Sequence, residues 1–296
     1  MTIAKDNKQY YIPAGTLTNG AFDLDLTPDR AGWAWSGLKI LSLSPGQTQE
    51  INSLEDEVII LSLEGSCDIC TNNMVFTIEG RDNIWSAVSD YVYIPRDTTY
   101  SITSAKGGRF ALASSRADNR LEPRYCPTIE VVSMLRGRGA MTRQINNYTI
   151  GNAFTPDHVL VTEVYTPGGG WSSYPPHKHE KDTDDERALE EIYYYEMRAM
   201  QEGREGFGFQ RIYPSPDFDI DVCVEVHHGD TVIMPYGYHG PTMCAPGYDL
   251  YYLNVMAGPA QGAQWKVTFD DAHAWVNDAY EQAAYEHNPR LPFYPI

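Results

Sequence analysis

One order of features occurs twice along this chain, and that repetition restricts the fold more than any single motif. In the first half SPGQTQEINSLEDEVIILSLEG is followed by DYVYIPRDTTYSITS; in the second, TPGGGWSSYPPHKHE, an acidic insert and LEEIYYYEM are followed by HHGDTVIMPYGYHGPTM. Each half has a Gly-containing turn, an acidic residue opening a strong strand, and later an aromatic-aliphatic strand ending in Ile-Pro or Met-Pro. Two tandem copies of one barrel fit this order.

Strand signals dominate throughout. VIILSLEG, RFALASS, HVLVTEVY, EEIYYYEM, GFGFQRIY and DLYYLNVM are short, β-branched or aromatic, and bounded by Gly, Pro, Asp or Asn. The fold class is therefore all-β, a sandwich or barrel. Helical periodicity is confined to the tail around DDAHAWVNDAYEQAAYEH, with a turn expected near Asp184 to Ala188. At 296 residues the chain accommodates two lobes. The polar, Pro-bearing ADNRLEPRYCPT and the following RGRGAMTRQINNY suggest a division into residues 1–127 and 128–296.

A formal net charge of −18 argues against nucleic acid as a partner. An anionic small substrate then requires a local cation, either a metal or a few arginines. MTIAKDNKQYYIPAG lacks the apolar core of a secretory signal, and no run of about 18 apolar residues suggests a membrane span, so a cytoplasmic location is expected. Five cysteines make no disulfide framework. Cys67 and Cys70 form a lone CxxC, read as two small strand residues because no second CxxC completes a zinc site.

Alternate side chains share a strand face, so His177 and His179 project to one side while Lys178 points away. That pair is a usable chelate, although an HxH alone is weak. Its company strengthens it: a strand opens with Glu190 and Glu191, and GDTVIMPYGYH delivers His239 beyond a proline turn. Three imidazoles with a carboxylate suit an open catalytic site more than structural zinc, and accept zinc, manganese or iron.

These two motifs resemble those of the cupin superfamily, whose jelly-roll barrel takes ligands from HxH-then-Glu and from a later G-D-…-P-x-G-…-H. Gly229, Asp230, Pro235, Gly237 and His239 follow the second motif with one residue fewer before the histidine. The first departs further, because EKDTDDERALE separates His179 from Glu191. PPHKH, the acidic insert, LEEIYY, FGFQRIY, GDTVIMPYGYH and APGYDLYYLNVMAGP together resemble the 5-deoxyglucuronate isomerase family of inositol catabolism, over about residues 130–275, with RQINNY in weaker support. The resemblance implies a bicupin with one divalent metal on His177, His179, Glu191 and His239. Glu191 is preferred to Glu190 because it directly precedes the Ile-Tyr-Tyr strand. The first half offers only Gln47 to Glu50 and Thr98 to Tyr100 where ligands would stand, so a metal-free copy is expected there.

Arg211 is a candidate for pairing with a substrate carboxylate, with an outward salt bridge as the alternative. Tyr193 shares the face of Glu191 and is a candidate cavity residue; Tyr251 and Tyr252 point opposite ways, so one of them joins it. Glu190, Tyr251 and Tyr252 are candidates to move the proton. His227 and His228 read as turn residues, and the acidic stretch from Glu180 to Glu186 as a solvated loop or lid.

The activity implied by the resemblance is aldose-ketose isomerisation of 5-deoxy-D-glucuronate to 2-deoxy-5-keto-D-gluconate, with a small uronic acid as substrate. A cupin oxygenase with the same ligands, a ketol-isomerase of a pectin-derived deoxy-uronate and a non-catalytic sugar-binding cupin remain alternatives. A homo-oligomer is compatible with all of them.

Overall fold

The computed structural model describes residues 9–152, 154–262 and 264–296. The β-branched and aromatic runs are strands, and every pairing between them is antiparallel. In the first half, the order across the sheet is Arg124–Cys126, Tyr91–Ile94, Asp56–Thr71, Gly108–Arg116, Ser36–Leu43 and Phe22–Leu26. The long Asp56–Thr71 strand curls onward to pair with Val75–Arg81 and Thr99–Thr103, which begins to close a barrel.

The second half has two sheets. The larger runs Tyr11–Ile12, Thr231–Met234, Glu190–Ala199, Tyr248–Ala257, Leu160–Pro167, Arg143–Asn147 and Val132–Arg136. The smaller runs Val222–Val226, Gly208–Tyr213, Tyr238–Cys244, His177–Lys178 and Thr268–Phe269, with Trp171–Ser172 also on Tyr238–Cys244. The architecture is all-β, two jelly-roll barrels in tandem. One strand crosses between the halves: Tyr11 and Ile12 pair with Val232 and Thr231 in the larger sheet.

Strand alternation assigns the two faces of that larger sheet. Ile192 and Tyr194, with Tyr251 and Leu253 beside them, pack against Leu24, Leu38 and Ile40 of the first half. Tyr193 and Tyr195, with Leu250 and Tyr252, point the other way, into the second barrel with Ile212 and Val222. Burying each such side chain contributes about 1.5–3 kcal/mol, so both faces are firmly specified and a one-residue slip would exchange them.

Polar groups also join the halves. Glu57 accepts backbone N–H bonds from Asp157, His158 and Val159 at 2.9, 2.6 and 2.7 Å. Arg81 and Glu163 form a fully buried ion pair. Glu163 also accepts from Tyr148, Asn146 and Tyr251.

The expected tail helix is Asp271–Gln282, capped by the Asp270 side chain on the amide of Ala272. The acidic insert forms no helix; residues 181–185 are exposed, as expected of a solvated loop, but the insert is anchored at Glu186. Lys178 turns into it and donates to Glu186 at 2.8 and 3.0 Å, with both side chains buried. Glu186 also accepts the amide of Glu180, so the insert is strapped to the HxH strand. Cys67 and Cys70 fall an odd number of residues apart on one strand and face opposite sides; burial pushes the Cys67 thiol up. No helix among the described residues is long and apolar enough to cross a membrane.

Candidate metal centre and its cavity

His177 and His239 are directly opposed in the antiparallel pair between their strands, which brings their rings to 4.5 Å between centroids. His179 lies 4.7 Å from His239 by the same measure. One ligand atom from each of the three histidines falls within 4.8 Å of the others, and all three side chains are buried. Glu191 enters from the opposing sheet: its Oε2 is 3.0 Å from His179 Nε2 and 2.8 Å from His239 Nε2.

Local structure holds these donors in place. His179 Nδ1 lies 3.0 Å from the Leu189 carbonyl, so a neutral ring donating there presents its Nε2 lone pair to a metal. Gly237, in the turn before His239, donates its amide to Glu180 at 2.9 Å, joining the two motifs. Gly240 has φ +103°, and a Cβ there would come within 1.8 Å of the Ser173 carbonyl. Glycine is required for that approach.

The donor set fits a divalent ion. His239 Nε2 is buried without a hydrogen bond, although a carboxylate oxygen is close by. A shared cation satisfies both atoms. Two donors about 2.1 Å from one ion and at right angles to each other stand about 3 Å apart, the separation seen between Glu191 and the two imidazoles. Burial, followed by the neighbouring His239 and His179, holds His177 well below the usual histidine range, so it is a neutral lone-pair donor. For Glu191 burial pushes the carboxyl up, but His239 and His179 outweigh it and keep the group ionised.

A cavity of about 330 Å³ adjoins the cluster, lined by His177, Glu191, Tyr193, Tyr252, Asn254 and Arg143. It shares Arg136, Arg143, His177 and Trp265 with a wider vestibule of about 500 Å³, which Tyr280 and Glu281 of the tail helix border. Tyr252 stacks on Tyr193 at 4.2 Å, and the Tyr193 hydroxyl lies 3.0 Å from Ser173 Oγ. Burial pushes the Tyr252 phenol up to about 12.

The structure thus gathers His177, His179, Glu191, His239, Tyr193 and Tyr252, and separates three other candidates from them. Glu190 faces the first half, where its carboxylate accepts the amides of Ala34, Trp35 and Ser36 at 2.8, 2.8 and 3.0 Å. It has no path to a substrate proton. Tyr251 is committed to Glu163 at 3.0 Å on the same far face. Arg211 points outward to Asp221 and to the Val222 carbonyl, while its neighbour Gln210 is buried. His227 pairs with the exposed Glu225 at the rim.

Across its length the chain matches a model of one family over residues 10–276. The chain belongs to the KduI/IolB family. A curated 5-deoxy-glucuronate isomerase from Geobacillus thermodenitrificans is 35% identical over 257 residues, spanning 86% of this chain and 90% of the relative. An IolB-like protein from Salmonella typhimurium superposes with a TM-score of 0.81 at 30% identity, covering 90% of this chain and 99% of that one. Bacillus subtilis oxalate decarboxylase, a protein with Mn(II) centres, gives 0.57 at 11% identity, covering 83% and 74%, a likeness of fold alone. This member's tandem barrels are those of the cupin fold.

Sequence reasoning passed over Arg136 and Arg143. The available signal was three arginines, Arg136, Arg138 and Arg143, within a short stretch of a chain with 22 basic and 40 acidic residues. That stretch read only as a lead-in to the second copy. A second group, Asp118, Asp157 and His158, also converges. Its donors are already engaged: Asp157 holds the amides of Asp118 and Asn119, and His158 Nδ1 meets the Gly258 carbonyl at 2.9 Å.

Proposed function

We propose that this chain is a 5-deoxy-glucuronate isomerase, converting 5-deoxy-D-glucuronate to 2-deoxy-5-keto-D-gluconate. The observation that carries the reading is the convergence of His177, His179, Glu191 and His239 beside a cavity, in a chain aligned with such isomerases over most of its length. Zinc, manganese and iron(II) all accept three imidazoles and a carboxylate.

The reaction transfers a proton between adjacent carbons and turns an aldehyde into a ketone. A divalent ion held by those four residues would supply a Lewis acid for the substrate oxygens that gain negative charge. Tyr252, with its phenol near 12, stays protonated at neutral pH and serves as a hydrogen-bond or proton donor to a substrate oxygen, not as the base. Tyr193, fixed by Ser173 and by the Tyr252 ring, forms a rigid wall that orients the chain of the sugar. Val164 and Met256 complete an apolar side of the cavity that limits water.

The test is an NMR assay of 5-deoxyglucuronate turnover by wild type and His239→Ala, with metal content measured on both. Turnover by metal-bearing wild type, lost in the variant together with the metal, is expected. No turnover by metal-replete wild type, or full rate in the alanine variant, overturns the proposal.

A further inference from the structure

Several arginines packed between elements of this acidic chain have carboxylates beside them. Arg81 has Glu163, Arg109 has Glu196, and Arg198 and Arg290 share Asp249. Arg143 and the more exposed Arg136 have no such carboxylate, and both line the cavity beside the histidine cluster. Among the described residues neither Arg143 nor Arg136 makes an ion pair. Arg143 is half-buried, and among the described residues its side chain makes one hydrogen bond, from Nη1 to the Met141 carbonyl at 3.1 Å. Arg136 lies over the Trp265 ring at 5.2 Å.

We propose that Arg143, assisted by Arg136, receives the carboxylate of the sugar acid and so selects uronates over neutral sugars of the same length. This rests on the isomerase reading above. An uncompensated guanidinium facing a cavity in a chain of net charge −18 is a costly arrangement unless a ligand supplies the missing anion. A guanidinium also suits a planar carboxylate, because its fork donates two parallel hydrogen bonds, and Arg143 is the more buried of the two that line the cavity. Burial and then the like charge of Arg136 push the Arg143 group down to about 10, and no carboxylate offsets them; it still carries its proton at neutral pH.

The backbone is shaped to admit this side chain. Gly137 has φ +76°, and a Cβ there would lie 2.8 Å from Arg143 Nη1 and 2.3 Å from the Met141 carbonyl. A glycine with positive φ leaves the space in which the guanidinium lies. His177 and Glu191 line the same cavity. In the proposed pose a six-carbon acid has its carboxylate on Arg143 and its far end, the aldehyde, at these metal ligands. The selectivity comes from both ends being held at once.

Two ligands that cannot isomerise test this: 5-deoxyglucuronate reduced at C1 to the alcohol, and the corresponding polyol with an alcohol at C6. Calorimetric titration of metal-replete protein should give tighter binding of the acid. Arg143→Met should lower affinity for the acid by about 10- to 100-fold and leave the polyol within about twofold. Arg143→Lys, which keeps the charge without the fork, should lose less and guards against a misfolded methionine variant. Equal weakening of both ligands in both variants, or no weakening of the acid, overturns the assignment. Turnover of 5-deoxyglucuronate is followed in the same samples. Its absence in a wild type that still prefers the acid sinks the isomerase reading and keeps the carboxylate site; turnover with no acid preference does the reverse.

Discussion

Glu190 and Glu191 are consecutive in one strand, and their carboxylates serve opposite sides of its sheet. Glu191 Oε2 lies 2.8 Å from His239 Nε2 inside the second barrel, while Glu190 accepts three backbone amides from Ala34 to Ser36 of the first half. One residue closes the metal site and the next one joins the halves. Glu191→Gln should lose metal on dialysis and lower kcat by two orders of magnitude or more. Glu190→Gln should keep metal and kcat but lose stability by about 1–3 kcal/mol, the cost of weakening buried hydrogen bonds to a charge. Metal analysis beside thermal melts separates the two.

The same alternation marks where sequence reasoning reached and where it stopped. Strand runs, the tandem order and the HxH spacing are local, so the all-β fold and the facing of His177 and His179 could be read directly. The choice between Glu190 and Glu191 leaned on position within a motif, since their partners lie on other strands. Period two also separated Tyr251 from Tyr252 but could not say which faced the cavity, because both sides of that sheet are buried. Arg211 takes the outward salt bridge that was its alternative, because Gln210 and Ile212 on either side of it are buried and alternation turns it outward. Arg143 was hidden for a different reason: what sets it apart is the lack of a carboxylate partner, which only packing reveals.

Tyr251 and Tyr252 make a matched pair of controls. Tyr252→Phe removes a hydroxyl from the cavity and should lower kcat about 10- to 100-fold with metal content unchanged. Tyr251→Phe removes only a hydrogen bond to Glu163, 3.0 Å long, and should cost about 1 kcal/mol of stability with kcat/KM kept within about twofold. Steady-state kinetics and urea melts on both variants check the assignment; equal kinetic losses would contradict it.

Arg211→Ala tests the outward placement. Its partner Asp221 is largely exposed, and such pairs contribute about 0–1 kcal/mol. Turnover and KM should match wild type, and the melting temperature should barely move. A raised KM for the acid alone would return Arg211 to the substrate site.

The Arg81–Glu163 pair ties stability to pH. Burial alone would push the Glu163 carboxyl up, but Arg81 and the hydrogen bonds from Asn146 and Tyr148 outweigh it and hold the group below its ordinary value. A carboxylate lowered in the folded state stabilises the fold at pH values above its unfolded pKa, about 4.3, and that contribution fades as pH falls through the folded value. Urea melts from pH 7 down to pH 3 should therefore show stability falling below about pH 5 in wild type. Glu163→Gln should cost about 3–5 kcal/mol at pH 7, because it leaves the Arg81 charge buried without its counterion. The variant should also fall less steeply in acid. Removing both charges with Arg81→Met and Glu163→Met should restore part of the loss, since the desolvation cost of the ions goes with them. A double variant no more stable than Glu163→Gln would show that the surrounding tyrosines need the carboxylate as an acceptor in its own right, independently of Arg81.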